Sequence, residues 1–167
     1  MLGFLFRGLT AEPAGGAALF DAATKEARRP EWYAEAGTPD TLDGRFSVLA
    51  TVTALLLVRL EREGEEGNRL SVVLTERFIE VMESEHRELG LGDPTLGKTV
   101  RKLVGMLAKK TELWRSAKAG DLDWTTATSQ SLFRGEDAAG EGTALVKSLS
   151  GRIDATPMND LAQGRIA

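Results

Sequence analysis

The chain has 167 residues, a formal net charge of −4 and no cysteine. A chain of this length buries roughly 70% of the surface that it exposes when unfolded, so one domain with a full core is expected. The composition excludes disulfides, thiolate metal sites and thiol catalysis, and the single histidine, His86, excludes a multi-histidine metal site. The acidic balance argues against a general nucleic-acid binder, and no cofactor is expected.

Residues 1–14 form an N-terminal segment ahead of a helical domain at 15–167. The segment opens Met1-Leu2-Gly3-Phe4-Leu5-Phe6-Arg7-Gly8-Leu9, which is apolar but lacks the basic leader and small-residue cleavage site of a signal peptide. It reads as a frayed end, a piece of core or a membrane-surface contact. No run is long enough to span a membrane: the longest uncharged stretch, residues 46–58, covers 13 positions, where a spanning helix needs about 20. A cytoplasmic protein is expected, with peripheral contact at the inner face of the cytoplasmic membrane as an option.

The periodicity predicts an all-α, single-domain bundle of about six helices. The first covers residues 16–28. An irregular stretch with Pro30, Trp32, Tyr33, Gly37 and Pro39 follows. The second helix starts near Asp40 or Thr41 and ends before Gly64. Its apolar residues, including Phe46, Val48, Leu49, Val52, Leu55, Leu56 and Leu60, face nearly every side, which marks a buried central helix. Residues 64–68 read as a turn. The third helix, residues 69–89, carries its main apolar face on Leu70, Val73, Leu74, Phe78, Val81 and Met82, with Val72 and Ile79 opposite. Arg77 falls within the apolar arc and needs a partner such as Glu80.

The fourth helix, residues 94–118, places Leu96, Val100, Leu103, Val104, Leu107 and Trp114 on one face. Lys98, Arg101, Lys102 and Lys109 lie on the other, either as a solvated stripe or as a docking surface for an acidic or anionic partner. A weaker helix covers 121–133, a loop 134–142, and a last helix 143–153, before a tail with Pro157 and Gly164. Asp121 and Asp123 begin like a calcium loop, but Thr126 and Leu132 stand where its glycine and glutamate belong.

Residues 92–99, Gly92-Asp93-Pro94-Thr95-Leu96-Gly97-Lys98-Thr99, match the phosphate-loop pattern G-x-x-x-x-G-K-[ST]. That loop needs a buried strand before it to aim backbone N–H groups at the phosphates. The preceding stretch reads as helix. The better reading is a helix–helix connection, with Gly90 ending one helix, Asp93 capping the next and Pro94 at its first position. No nucleophile motif accompanies His86, and Glu83, Glu85 and Glu88 read as solvent-facing carboxylates.

Two helix ends are dense in glycine and charge. The first is Thr38-Pro39-Asp40-Thr41-Leu42-Asp43-Gly44-Arg45-Phe46, running into the apolar stretch that ends at Leu60. The second is Arg87-Glu88-Leu89-Gly90-Leu91-Gly92-Asp93, running into Gly97-Lys98 and Arg101-Lys102. In order and spacing these blocks resemble the ubiquinol–cytochrome c chaperone family, here as a bacterial member. The resemblance covers about residues 15–118, with weaker similarity through 161–166. Two departures are residues 107–110, where members often carry Phe-Tyr-Gly-Arg, and Phe133-Arg134-Gly135, where they often carry Arg-Asn.

The resemblance implies a non-enzymatic assembly factor for ubiquinol:cytochrome c reductase that binds newly made cytochrome b or a related respiratory membrane subunit. Arg45, Arg87, Lys98, Arg101, Lys102 and Lys109 are the candidate partner-binding residues. Asp40, Asp43, Gly44, Phe46, Glu88, Gly90, Gly92 and Asp93 are the motif residues assigned a structural part. Apolar surface around Trp32, Tyr33 or the N-terminus is the candidate client-holding surface. The alternatives are a nucleotide-binding protein using residues 92–99 and a structural adaptor without chaperone action.

Overall fold

The structure, a computed structural model, describes residues 16–88, 93–133 and 140–167, apart from the side chains of His86 and residues 93–96. Eight helices and no strand occur among them: α1 (Gly16–Ala27), α2 (Glu31–Ala34), α3 (Leu42–Leu60), α4 (Gly64–Glu88), α5 (Asp93–Ala119), α6 (Trp124–Leu132), α7 (Gly140–Ala155) and α8 (Met158–Ala162). The architecture is all-α, around a central α3. Every residue of α3 from Val48 to Leu56 is buried, and α1, α4, α5, α6 and α7 all pack on it. Its residues are apolar on all sides because it has a neighbour on each.

Thr41 starts α3 at a sharp corner, its Oγ1 accepting a hydrogen bond from the Gly44 amide at 3.1 Å. The corner folds the preceding chain back on the first turn. A Cβ at Gly44 would lie 1.8 Å from the Pro39 carbonyl oxygen, so only glycine fits there.

Helix α4 begins at Gly64, so residues 64–68 are helical rather than the expected turn. Three residues, 61–63, suffice for the connection. Glu65 and Glu66 occupy the first turn, where carboxylates favour the positive helix end. Gly67 serves packing: a Cβ there would sit 2.1 Å from the Leu60 carbonyl oxygen. Leu70, Leu74, Phe78 and Met82 face the core, and Ile79 packs at its margin. Val72 does not follow Ile79 inward; it is 56% exposed. Arg77 donates to Glu80 at 3.3 Å.

In α5, Leu103, Leu107 and Trp114 are buried, but Val104 is exposed despite its place on the apolar arc. Asp123, suspected of beginning a calcium loop, caps α6 by accepting from the Thr126 amide at 3.0 Å. Helix α7 extends past both expected ends, and the tail contains the short α8, which packs on α1. Gly164, at φ +73°, lets the chain pass within contact of the Ala18 backbone. The buried Glu26 of α1 accepts from both Arg29 and Arg152 of α7, and Arg152 also donates to the Ala167 carbonyl. No helix among the described residues is long and apolar enough to cross a membrane.

Candidate functional site

The corner before α3 forms one wall of a groove of about 820 Å³. Phe20, Asp21 and Thr24 of α1 form a second wall, and Val81, Met82 and Glu85 of α4 a third. Leu42, Arg45, Phe46 and Leu49 come from α3, and Tyr33 from α2 closes one end. The surface is mixed: apolar side chains line the floor and charged groups stand around it. Leu42 is 42% exposed, an apolar side chain held at the rim by the backbone corner.

Two polar contacts shape the groove. Arg45 Nε donates to Asp40 Oδ1 at 2.7 Å across the Thr41 cap. That hydrogen bond holds the Asp40 carboxyl below the usual carboxylate range and pushes Arg45 upward. The Tyr33 hydroxyl donates to the Ala27 carbonyl at 2.9 Å, which ties α2 to the end of α1 and leaves the ring to line the groove. Burial pushes the Tyr33 phenol up, which favours its uncharged form.

Trp32 is not part of this surface. Its ring is 2% exposed and its Nε1 donates to the Glu26 carbonyl at 3.0 Å, making it a core residue that anchors α2. The motif block 38–46 thus enters the groove through Asp40, Leu42, Arg45 and Phe46, while Gly44 sets the backbone beneath them. Asp43 is exposed in the first turn of α3.

Lys98, Arg101, Lys102 and Lys109 are all exposed on α5. None of the groove-lining residues comes from α5, so the basic stripe and the groove are separate surfaces. Arg87 and Glu88 are exposed at the end of α4, beyond the groove wall at Glu85. The turn expected of Gly90 and Gly92, and the cap expected of the Asp93 side chain, lie outside the described residues. Gly97, Lys98 and Thr99 lie inside α5, and the element before it among the described residues is helix α4. Helical N–H groups run along the axis into the intrahelical ladder, so these three residues do not form a phosphate nest. Among the described residues no group of His, Cys, Asp and Glu could hold a metal ion.

Buried charges went unread in the sequence, among them Glu26, Arg59 and Lys110. Lys110, next to the exposed Lys109, points inward and donates to the Ser131 carbonyl at the end of α6. Ser131 Oγ lies 2.7 Å from Thr51 Oγ1 of α3, so the cluster joins three helices. Burial lowers the Lys110 pKa from 10.5 to about 8.

Comparison with known proteins accords with the two blocks and the helical fold. The family model described as Ubiquinol-cytochrome C chaperone matches residues 34–166. A crystal structure of the Cbp3 homolog from Brucella abortus is similar with a TM-score of 0.80 at 25% identity, covering 100% of this chain and 96% of that one. A search of curated proteins found no match. With four-fifths of its length inside the family match, the chain belongs to the ubiquinol–cytochrome c chaperone family.

Proposed function

We propose that the chain is a non-enzymatic assembly chaperone that holds an exposed segment of newly made cytochrome b in the groove beside α3. Family membership supports the assembly role. The observation that carries the groove assignment is that the first motif block supplies Asp40, Leu42, Arg45 and Phe46 to its wall. An apolar floor with charged groups around it suits an amphipathic segment of a membrane protein before that segment is buried in its own complex. The basic stripe of α5 acts separately, meeting acidic client loops or anionic headgroups, which keeps a cytoplasmic protein near the membrane where its client is inserted.

The test is client capture. Phe46→Asp and Leu42→Asp place a charge on the groove surface without entering the fully buried core. Affinity purification from respiring cells should recover cytochrome b with the native chain and at least tenfold less with either variant, at equal helix content by circular dichroism. Full capture by both folded variants would remove the groove from the mechanism.

A further inference from the structure

The shape of the groove selects the kind of segment it takes. Helices α1 and α4 touch where Gly16 meets Val73, and a Cβ on Gly16 would lie 2.0 Å from Val73 Cγ1. Both helices run on from that contact to form two of the groove walls. On α1 the lining residues are Phe20, Asp21, Thr24 and Ala27, with Arg28 just past its end. On α4 they are Val81, Met82 and Glu85. Spacings of three and four place each set along one side of its helix. Two such stripes make a trough for a third helix, whose own ridges repeat at the same spacings. From Phe20 to Arg28 the α1 wall is about 12 Å long at roughly 1.5 Å per residue, enough for about two turns of a docked helix.

The charges of the groove are not all engaged. Asp40 and Arg45 hold each other at 2.7 Å. Asp21, Arg28 and Glu85 also line it, and none of the three makes an ion pair with a described residue. Asp21 and Arg28 are exposed and Glu85 is half-buried. Two unpaired carboxylates, one on each helical wall, therefore outweigh one unpaired guanidinium. The exposed cations of α5 lie on a separate surface. A partner with basic residues is repelled by that stripe and drawn to the groove; an acidic partner is sorted the other way.

We propose that the groove receives a single amphipathic helix, apolar toward Phe20, Leu49 and Val81 and carrying Lys or Arg opposite Asp21 and Glu85. The cytoplasmic end of a membrane-spanning segment has this character, because Lys and Arg are in excess there. That the helix belongs to the client rests on the reading above, whereas the preference for basic flanks is a property of the groove itself. The two charged surfaces then do not compete. Asp21 and Glu85 hold the basic flank, and the α5 stripe, of the same sign as that flank, stays free for an anionic surface.

The test uses the full chain and three synthetic helical peptides with one shared apolar face and Lys, Gln or Glu at the flanking positions. Binding is read by fluorescence anisotropy. The Lys peptide should bind roughly tenfold tighter than the Glu peptide, with Gln between them, and the gap should narrow as salt rises. Asp21→Lys with Glu85→Lys should reverse that order at unchanged helix content. Glu76→Lys with Asp121→Lys makes the same change in net charge at exposed positions that do not line the groove, and should keep the native order. Equal binding of the three peptides would overturn the proposal. So would a native order in the groove reversal, or an equal reversal in the control, which would assign the preference to overall charge. Leu42→Asp separates the two readings. If it weakens three peptides that bind equally, the groove still takes apolar segments and only the charge preference falls. If no peptide binds the native chain, the proposal falls, and capture of cytochrome b from cells decides the client reading.

Discussion

Lys110 shows what a single residue can contribute and cost. Its ammonium is buried, and the drop from 10.5 to about 8 corresponds to about 3 kcal/mol at roughly 1.4 kcal/mol per pH unit. Below pH 8 the folded and unfolded chains both keep the proton, so the cost of burying the charge is constant. Between pH 8 and 10.5 the unfolded chain holds a proton that the folded chain has released, and stability rises with pH. Lys110→Met removes this titration. Urea unfolding should show the native chain gaining up to about 3 kcal/mol on the Met variant between pH 7 and pH 11. A constant difference between them would mean that the ammonium is not buried in solution. Lys110 is hard to detect from sequence because two adjacent lysines on a helix read as a surface pair. The 100° between them is enough to turn one outward and the other into the core.

At the scale of elements, the basic face of α5 makes the sharpest prediction. Lys98, Arg101, Lys102 and Lys109 are exposed along it. Reversing them to Glu should leave helix content unchanged, since exposed charges contribute little to stability. Binding to anionic vesicles, or capture of client, should drop at least tenfold, and native binding should weaken as salt rises. A folded reversal variant with native binding would leave the stripe as ordinary solvated surface. Much of this layer was legible. The buried α3 announced itself by apolar residues on all sides, and the block at 38–46 by its density of glycine and charge. What failed were local cues with two meanings. Gly64 and Gly67 looked like a turn, yet Gly67 is required by the close approach to Leu60. Trp32, in a segment punctuated by proline and glycine, looked like surface, yet the core takes it. Nor could any pattern show that Val81, Met82 and Glu85 stand opposite Phe46, because the packing of α4 on its neighbours is set by side-chain interdigitation rather than by spacing within one helix.

For the whole molecule, the telling contact is between α1 and α7. Glu26 is buried, and Arg152 reaches it from 126 residues away. Truncating Arg152 leaves Glu26 with Arg29 alone among its described partners. Arg152→Ala should therefore destabilise by roughly 2–4 kcal/mol, read as a lower urea midpoint with an unchanged slope. A midpoint shift below half that size would mean that Arg29 compensates. Because α1 lines the groove, the same variant should also lose client capture near its melting temperature before the native chain does.

The Glu26–Arg152 contact also sets a timetable. A ribosome working at roughly 5–20 residues per second takes roughly 6–25 s to travel from Glu26 to Arg152. During that interval α1 has neither Arg152 nor the α8 platform on which it finally rests. The wall of Phe20 and Thr24 is the first part of the groove to be translated and among the last to be fastened. For most of that synthesis the nascent chain therefore carries an uncovered apolar flank on α1, and the residues from Arg152 through α8 are the ones that end its vulnerability.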